Sequence, residues 1–380
     1  VAGIGIAIGP VVGGLLVEHF GWGSVFLINV PVCATTFVLA RWLVPNTSAP
    51  EESPLDPIGA VLSIAGLVAM LFAIIEVPNH GWVAPDVIAG FVIGLVFIGL
   101  FAAWEAHTPR PMLDVRFFRN PRFSAASATI TLAYFALFAS TFLLTQYFQF
   151  ILGYSPLQSG LMLTPVALGL IVGSPLAPRF VHRFGTKRVV VSGLLVVAAA
   201  MACYGSDTIM SSFALGFSIR LVYGIGMGLT VAPVTESIMG SLPPGRAGVG
   251  SAVNDTTRQT GGALGVAVLG SIFASQYHAT FDAARGLPTS VAHSARDSIG
   301  TSLQVANHLP SGVATQLRDV ADGAFLSSMR ITYACAVAVV LVAVFVAARF
   351  LPARASEPAE EQQEHELAEA LALGAENAAN

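Results

Sequence analysis

The sequence predicts an all-α, polytopic helical membrane protein, and three observations predict it. Hydrophobic residues make up 54% of the 380 positions and charged residues 11%, with a mean hydropathy of +0.73; a soluble domain carries roughly twice that charge. Apolar runs close to the roughly 20 residues that span hydrocarbon recur along the whole chain. The runs are continuous, whereas a membrane barrel alternates over ~10-residue strands, so helices are what satisfies their backbone groups.

Ten spans are expected, near 1–18, 22–44, 58–77, 87–104, 123–151, 157–178, 188–205, 212–236, 248–275 and 329–350. The first opens at Val1 inside a helix-length apolar stretch with no methionine, which predicts a chain that starts in mid-helix within a longer protein. There Gly5, Gly9 and Gly13 recur every four residues on one face, beside Pro10 and Gly14. A face without side chains lets a neighbouring helix backbone come close, and the proline removes a donor and bends the helix, so this segment reads as a tight packing seam. Asp56-Pro57 opens the third span as an N-cap followed by proline at the first helical position. The fifth span is crowded with Phe135, Phe138, Phe142, Tyr147, Phe148 and Phe150, which would suit either lipid-facing packing or a cavity for lipophilic or cationic organic molecules. In the eighth, Arg220 is followed by Gly224, Gly226 and Gly228, a face open to close packing. The ninth carries a glycine-spaced stretch from Gly261 through Gly265 to Gly270 that echoes the first, as in transporters built from paired halves.

Orientation follows from the connections. One set holds Arg41; Arg110, Arg116, Arg119 and Arg122; Arg179, Arg183, Lys187 and Arg188; Arg246; and Arg349 with Arg354. The short loops of the other set, near 18–22, 78–86, 152–157 and 206–212, contain no Lys or Arg, so the first set faces the cytoplasm and the first span runs outward. A long outer connection is expected over 276–328; its Arg285, Arg296 and Arg318 do not overturn this, because long loops escape the positive-inside rule. The glutamate-rich tail 352–380 reads as an acidic cytoplasmic helix or disorder and gives the net charge of -4 its sign. Cys33, Cys203 and Cys335 fall on three spans and read as small apolar packers, not a disulfide framework.

Enzyme signatures fail: there is no GxxxxGK[ST], HExxH or GxSxG, and the eight histidines lack ligand spacing. No enzyme activity, cofactor, metal site or nucleic-acid partner is expected. Chemistry therefore falls to polar groups at membrane depth, where an unpaired charge costs about 2.5–3.5 kcal/mol or more. Arg220, Asp255 and Arg258 lead these, the last two at i,i+3 and able to pair, either as a lock on the inner end of the ninth span or as a gate. Asn29, Gln146 and Gln149 are candidates for a cavity wall together with Phe142, or for interhelical hydrogen bonds. The turn holding Arg179, Arg183, Gly185, Lys187 and Arg188 is either the positive-inside signal alone or an inner gate whose cations bridge to acids or helix C-termini when the inside is closed. Glu18 and Glu76, at outer span ends, are not expected to carry protons.

With these residues in hand, the chain resembles the major facilitator superfamily, specifically its 14-helix drug:proton antiporter branch. The carriers are Gly5-xxx-Gly9-Pro10-xx-Gly13-Gly14, similar to the branch's antiporter motif; Phe20-Gly-Trp22 with Phe26-Leu-Ile-Asn29-Val-Pro31; Leu55-Asp-Pro-Ile-Gly59; and Ser251-Ala-Val-Asn254-Asp255-Thr-Thr-Arg258-Gln259. Arg179 to Arg188 looks like a degenerate copy of the family's loop motif, and Arg220-Leu-Val-Tyr-Gly224 like a second-half echo of its arginine motif. The resemblance implies that 1–44 holds the last two helices of the N-terminal half, 45–122 two linker helices, and 123–351 the C-terminal six-helix half. It implies helices one to four of the branch to be absent here, and with them the residues expected to couple protons. It further implies a monomeric multi-pass protein of the cell membrane, C-terminus in the cytoplasm, with the lipid bilayer, protons and a small-molecule substrate as partners. The function implied is proton-coupled export of small organic molecules; the rival is a non-transporting membrane receptor or scaffold, or an inactive transporter fragment.

Overall fold

A computed structural model describes residues 2–43, 56–108, 111, 115–205, 212–242, 247–283, 291–292 and 295–353. Arg110, Arg246, Arg285, Arg354, Leu55 and the acidic stretch from residue 354 lie outside the described residues. In chain order the helices are α1 (Ala2–Phe20), the single turn α2 (Ser24–Leu27), α3 (Asn29–Leu43), α4 (Pro57–His80) and α5 (Pro85–His107). A 3₁₀ turn (Val115–Arg119) leads to α6 (Pro121–Gln146), which runs on as a π turn (Tyr147–Ile151). Then come α7 (Pro156–Phe184), α8 (Thr186–Tyr204), α9 (Phe213–Met239), α10 (Ala247–Ala283), α11 (Ile299–Ala306) and α12 (Ser311–Phe350).

The described residues contain no strand, in agreement with the all-α expectation, and eight helical segments are long and apolar enough to cross a membrane. The expected second span is broken at Ile28 into α2 and α3. The apolar part of α1 is the shorter stretch Ile8–Phe20, and α10 is too rich in small and polar residues to reach the same hydropathy.

Helices α6, α7, α8, α9, α10 and α12 share one buried core, in which Phe123, Leu143, Leu194, Met227 and Phe325 are each fully enclosed. Glycine sets how closely they cross. A methyl at Gly224 of α9 would strike the Val166 carbonyl of α7, and one at Gly228 would lie 2.6 Å from the Ser174 nitrogen. Gly261 and Gly265 of α10 lie equally close to Thr131 and Phe135 of α6. Helices α4 and α5 pair through Gly66, Gly90 and Gly94, and α4 lies on α10. Asp56 caps α4 as expected, accepting from the Gly59 N–H at 2.9 Å, and also accepts from the Trp104 indole of α5 at 2.9 Å.

For orientation, the bundle has a Glu18 end, where α1 stops and α7 starts, and an Arg183 end, where α7 turns into α8. Over 276–328 the expectation of a long loop is corrected. At 1.5 Å per residue, the 37-residue α10 is about 56 Å long and the 40-residue α12 about 60 Å, roughly twice a hydrocarbon core. Both continue past the Glu18 end and pack with α11 into a small cap. Tyr277, Phe281, Ile299, Leu317 and Phe325 are buried there, and the Tyr277 and Ser302 hydroxyls meet at 2.8 Å. Small and polar residues conceal this cap in a hydropathy reading, because its apolar faces meet only once the three helices are side by side.

Candidate functional site

A cavity of about 550 Å³ opens between α4, α6 and α10. Its walls are almost wholly apolar: Leu71 and Ile75 from α4, Phe142 from α6, and Val266 and Phe273 from α10 among them. Gln146 brings an amide and Ser271 a hydroxyl to the wall, and residues 297–299 of the cap roof it at the Glu18 end. An apolar chamber with few polar groups is the usual composition of a small-molecule site.

The structure brings two of the four expected lining residues together, Phe142 and Gln146. Gln149 is half-buried and off the wall, because the π turn, closed by the Leu152 N–H on the Tyr147 carbonyl at 3.1 Å, changes the helical register just after Gln146. Asn29 stands exposed at the start of α3, remote from the cavity lining, because the break at Ile28 puts it at a helix end. The crowded aromatics do not share one chamber either: Phe135, Tyr147 and Phe148 are buried in the core, whereas Phe138 is exposed and covers Gly262.

Arg220 is only 2% exposed. Its guanidinium lies over Gly216 one turn earlier, with its carbon 5.1 Å from the centre of the Phe148 ring, and its Nε has no hydrogen-bond acceptor among the described residues. The partner of this buried cation is thus an aromatic face. Asp255 and Arg258 do pair, at 3.7 Å, but the Asp255 side chain is 69% exposed, so the ion pair itself contributes little. Arg258 is positioned more by the Tyr134 ring, 4.5 Å away, than by the carboxylate.

In the basic turn, Gly185 has φ +84° and its N–H closes on the Val181 carbonyl at 2.8 Å, a conformation open to glycine at little cost. Arg179, Arg183 and Arg188 are exposed and Lys187 half-buried, with no carboxylate partner for any of them among the described residues. Among the described residues, the bridges to acids expected of a closed inner gate are not made.

Helices α1 and α7 meet backbone to backbone, one residue round α1 from the face that carries Gly5, Gly9 and Gly13. Open space surrounds Gly5, Gly9 and Gly13. The close approach is made by Pro10 and Gly14: a methyl at Gly14 would lie 2.5 Å from the Pro156 carbonyl oxygen and 2.7 Å from the Leu157 Cα, and one at Gly160 would strike the Pro10 carbonyl. One turn further along the same face, the Glu18 carboxylate accepts from the Ser155 hydroxyl at 2.9 Å and from the Leu157 N–H at 3.3 Å. Sequence reasoning missed Glu18 as a contact residue. The signal was available, since Pro10, Gly14 and Glu18 repeat every four residues just as the glycines do.

Residues 1–266 match the family model of the Major Facilitator Superfamily. The chain belongs to this superfamily of transporters. Among its relatives, the multidrug efflux pump LfrA of Mycolicibacterium smegmatis is 33% identical over 345 residues, a match covering 90% of this chain and 68% of LfrA. The tetracenomycin C resistance and export protein of Streptomyces glaucescens is 32% identical over 378 residues, covering 96% of this chain and 69% of that protein. The chain thus spans about two thirds of the length of these relatives. The fold is similar to that of a bacterial homologue of the human lysosomal transporter Spinster in an inward-facing, unoccupied conformation, with a TM-score of 0.51 at 15% identity over 93% of this chain and 70% of that one. As a major facilitator member the chain is a multi-pass membrane transporter, in line with the family resemblance read from its motifs.

Proposed function

We propose that the protein exports small organic molecules across the cytoplasmic membrane by alternating access, driven by inward proton flow. The observation that carries this reading is the backbone-to-backbone contact of α1 with α7, in a chain that also holds an apolar cavity and whose relatives include a multidrug efflux pump and a tetracenomycin C resistance and export protein. The register that fits is the 14-helix drug:proton antiporter branch, with α1 as the fifth helix and the α4–α5 pair between the halves. In this reading the positive-inside rule puts the Arg183 end and the C-terminus in the cytoplasm. The outer side is closed by the α1–α7 seam, and the unbridged cations of the Arg179–Arg188 turn belong to an open inner side. The protein works as a monomer.

At ~100 mV one proton supplies about 2.3 kcal/mol, enough for roughly a 50-fold gradient at one-to-one coupling. The experiment is uptake of a fluorescent lipophilic cation into inverted vesicles: an imposed proton gradient should drive it and a protonophore should stop it. A flux indifferent to the gradient would refute coupling. In the same assay Gln146→Leu is expected to raise the half-saturating concentration of a hydrogen-bonding substrate about three- to tenfold, and to spare a purely apolar one. An unchanged profile would remove Gln146 from the substrate path.

A further inference from the structure

Glycine alone does not hold the α1–α7 seam. Leu157 is in the first turn of α7, where backbone N–H groups have no intrahelical acceptor and the helix dipole presents its positive end. Glu18, 139 positions earlier in the chain, brings a carboxylate to that N–H and to Ser155. Ser155 also forms its own capping box with Gln158, so the start of α7 is held within its own first turn as well as by α1.

The charged surroundings of Glu18 are sparse. On α1 its neighbour His19 is turned back, with Nδ1 3.1 Å from the Leu15 carbonyl. The first titratable residue along α7 is Arg179, at the opposite end of that helix. The 21–28 turn brings none, and the loop before Ser155 brings only the phenol of Tyr154, whose ring stacks on Phe148. Among the described residues, neutral donors hold this carboxylate.

We propose that Glu18 is a proton-operated latch on the outer side, a positioning residue that rests on the transport reading above. Ionised, its carboxylate ties α1 to the first turn of α7. A proton taken from the solution at that end binds a carboxylate oxygen, removes the charge-assisted part of both hydrogen bonds and the attraction to the helix end, and lets the seam part. The proton returns to the same solution before the seam closes again, so Glu18 times the opening and does not carry the transported proton.

The test places spin labels at Trp22→Cys and Leu161→Cys in the full-length protein, with Cys33, Cys203 and Cys335 replaced by serine, in proteoliposomes. Between about pH 7.5 and about pH 3, a window that spans the ordinary carboxylate range, the longer inter-label distance should gain population several-fold. Glu18→Gln should show the long distance at both pH values, and Glu18→Asp should restore the response. A Glu18→Gln protein that keeps the full pH response, or a Glu18 protein that shows none, overturns the latch. A pH-dependent distance that is lost in Glu18→Gln, in a protein without gradient-driven export, would uphold the latch and overturn the transport reading alone.

Discussion

Gly160→Leu is expected to abolish export while the protein still inserts in the membrane at normal levels. The space a side chain would need at Gly160 is filled by the Pro10 carbonyl, and Gly14 faces the Pro156 and Leu157 backbone in the same way. Because the obstruction is backbone on both sides, no side-chain rotation relieves it. Overpacking of this kind costs about 1–3 kcal/mol where neighbours can shift; here the accessible shift is separation of α1 from α7. Export in vesicles and quantity in the membrane are the two measurements. Gly9→Leu and Gly13→Leu are the contrast, because open space surrounds both glycines and the α1–α7 spacing should survive in each. Normal export by Gly160→Leu would show that the seam has no part in transport.

The second large effect is on folding. Gly224→Val is expected to cost about 3 kcal/mol or more and to prevent extraction of a monodisperse protein. A methyl at Gly224 would meet the Val166 carbonyl, while one at Gly169 would meet the Leu221 carbonyl, so α7 and α9 interlock from both sides. The α7–α9 crossing also holds Arg220 in the core. The control is Gly323→Ala in α12, a helical glycine with nothing near it, expected to be neutral or to stabilise by up to about 1 kcal/mol. Thermal unfolding in detergent separates the two, and a Gly224→Val protein with an unaltered midpoint would refute the interlock.

What was legible in the sequence follows from which interactions are local. The spans were readable because hydrocarbon imposes its length on any segment that crosses it, and Asp56-Pro57 marked the start of α4 because a cap is made within one turn. Close packing of Gly224 and Gly228 could be expected from their spacing, since only a bare face admits another backbone. The face of α1 that would be used could not. Gly13 and Gly14 are neighbours about 100° apart on the helix, and the choice between them is made by α7, more than 140 residues away. Gln149 left the cavity through a π turn that has no clear sequence mark, and Glu18 found its partners only 137 and 139 positions away. The cap over 276–328 hid for a related reason: Tyr277, Leu317 and Phe325 are scattered among small and polar residues and become a core only when three helices meet.

All of this depends on α1 and α7 parting and rejoining at the Glu18 end during each cycle. Cysteines at Glu18→Cys and Ser155→Cys, replacing side chains whose tips meet at 2.9 Å, can be bridged by a short bis-methanethiosulfonate reagent in a protein whose Cys33, Cys203 and Cys335 have been replaced. Bridging should stop the export that the unbridged double variant retains, and reduction should restore that level. Export at an undiminished rate with the two helices covalently joined would contradict the account.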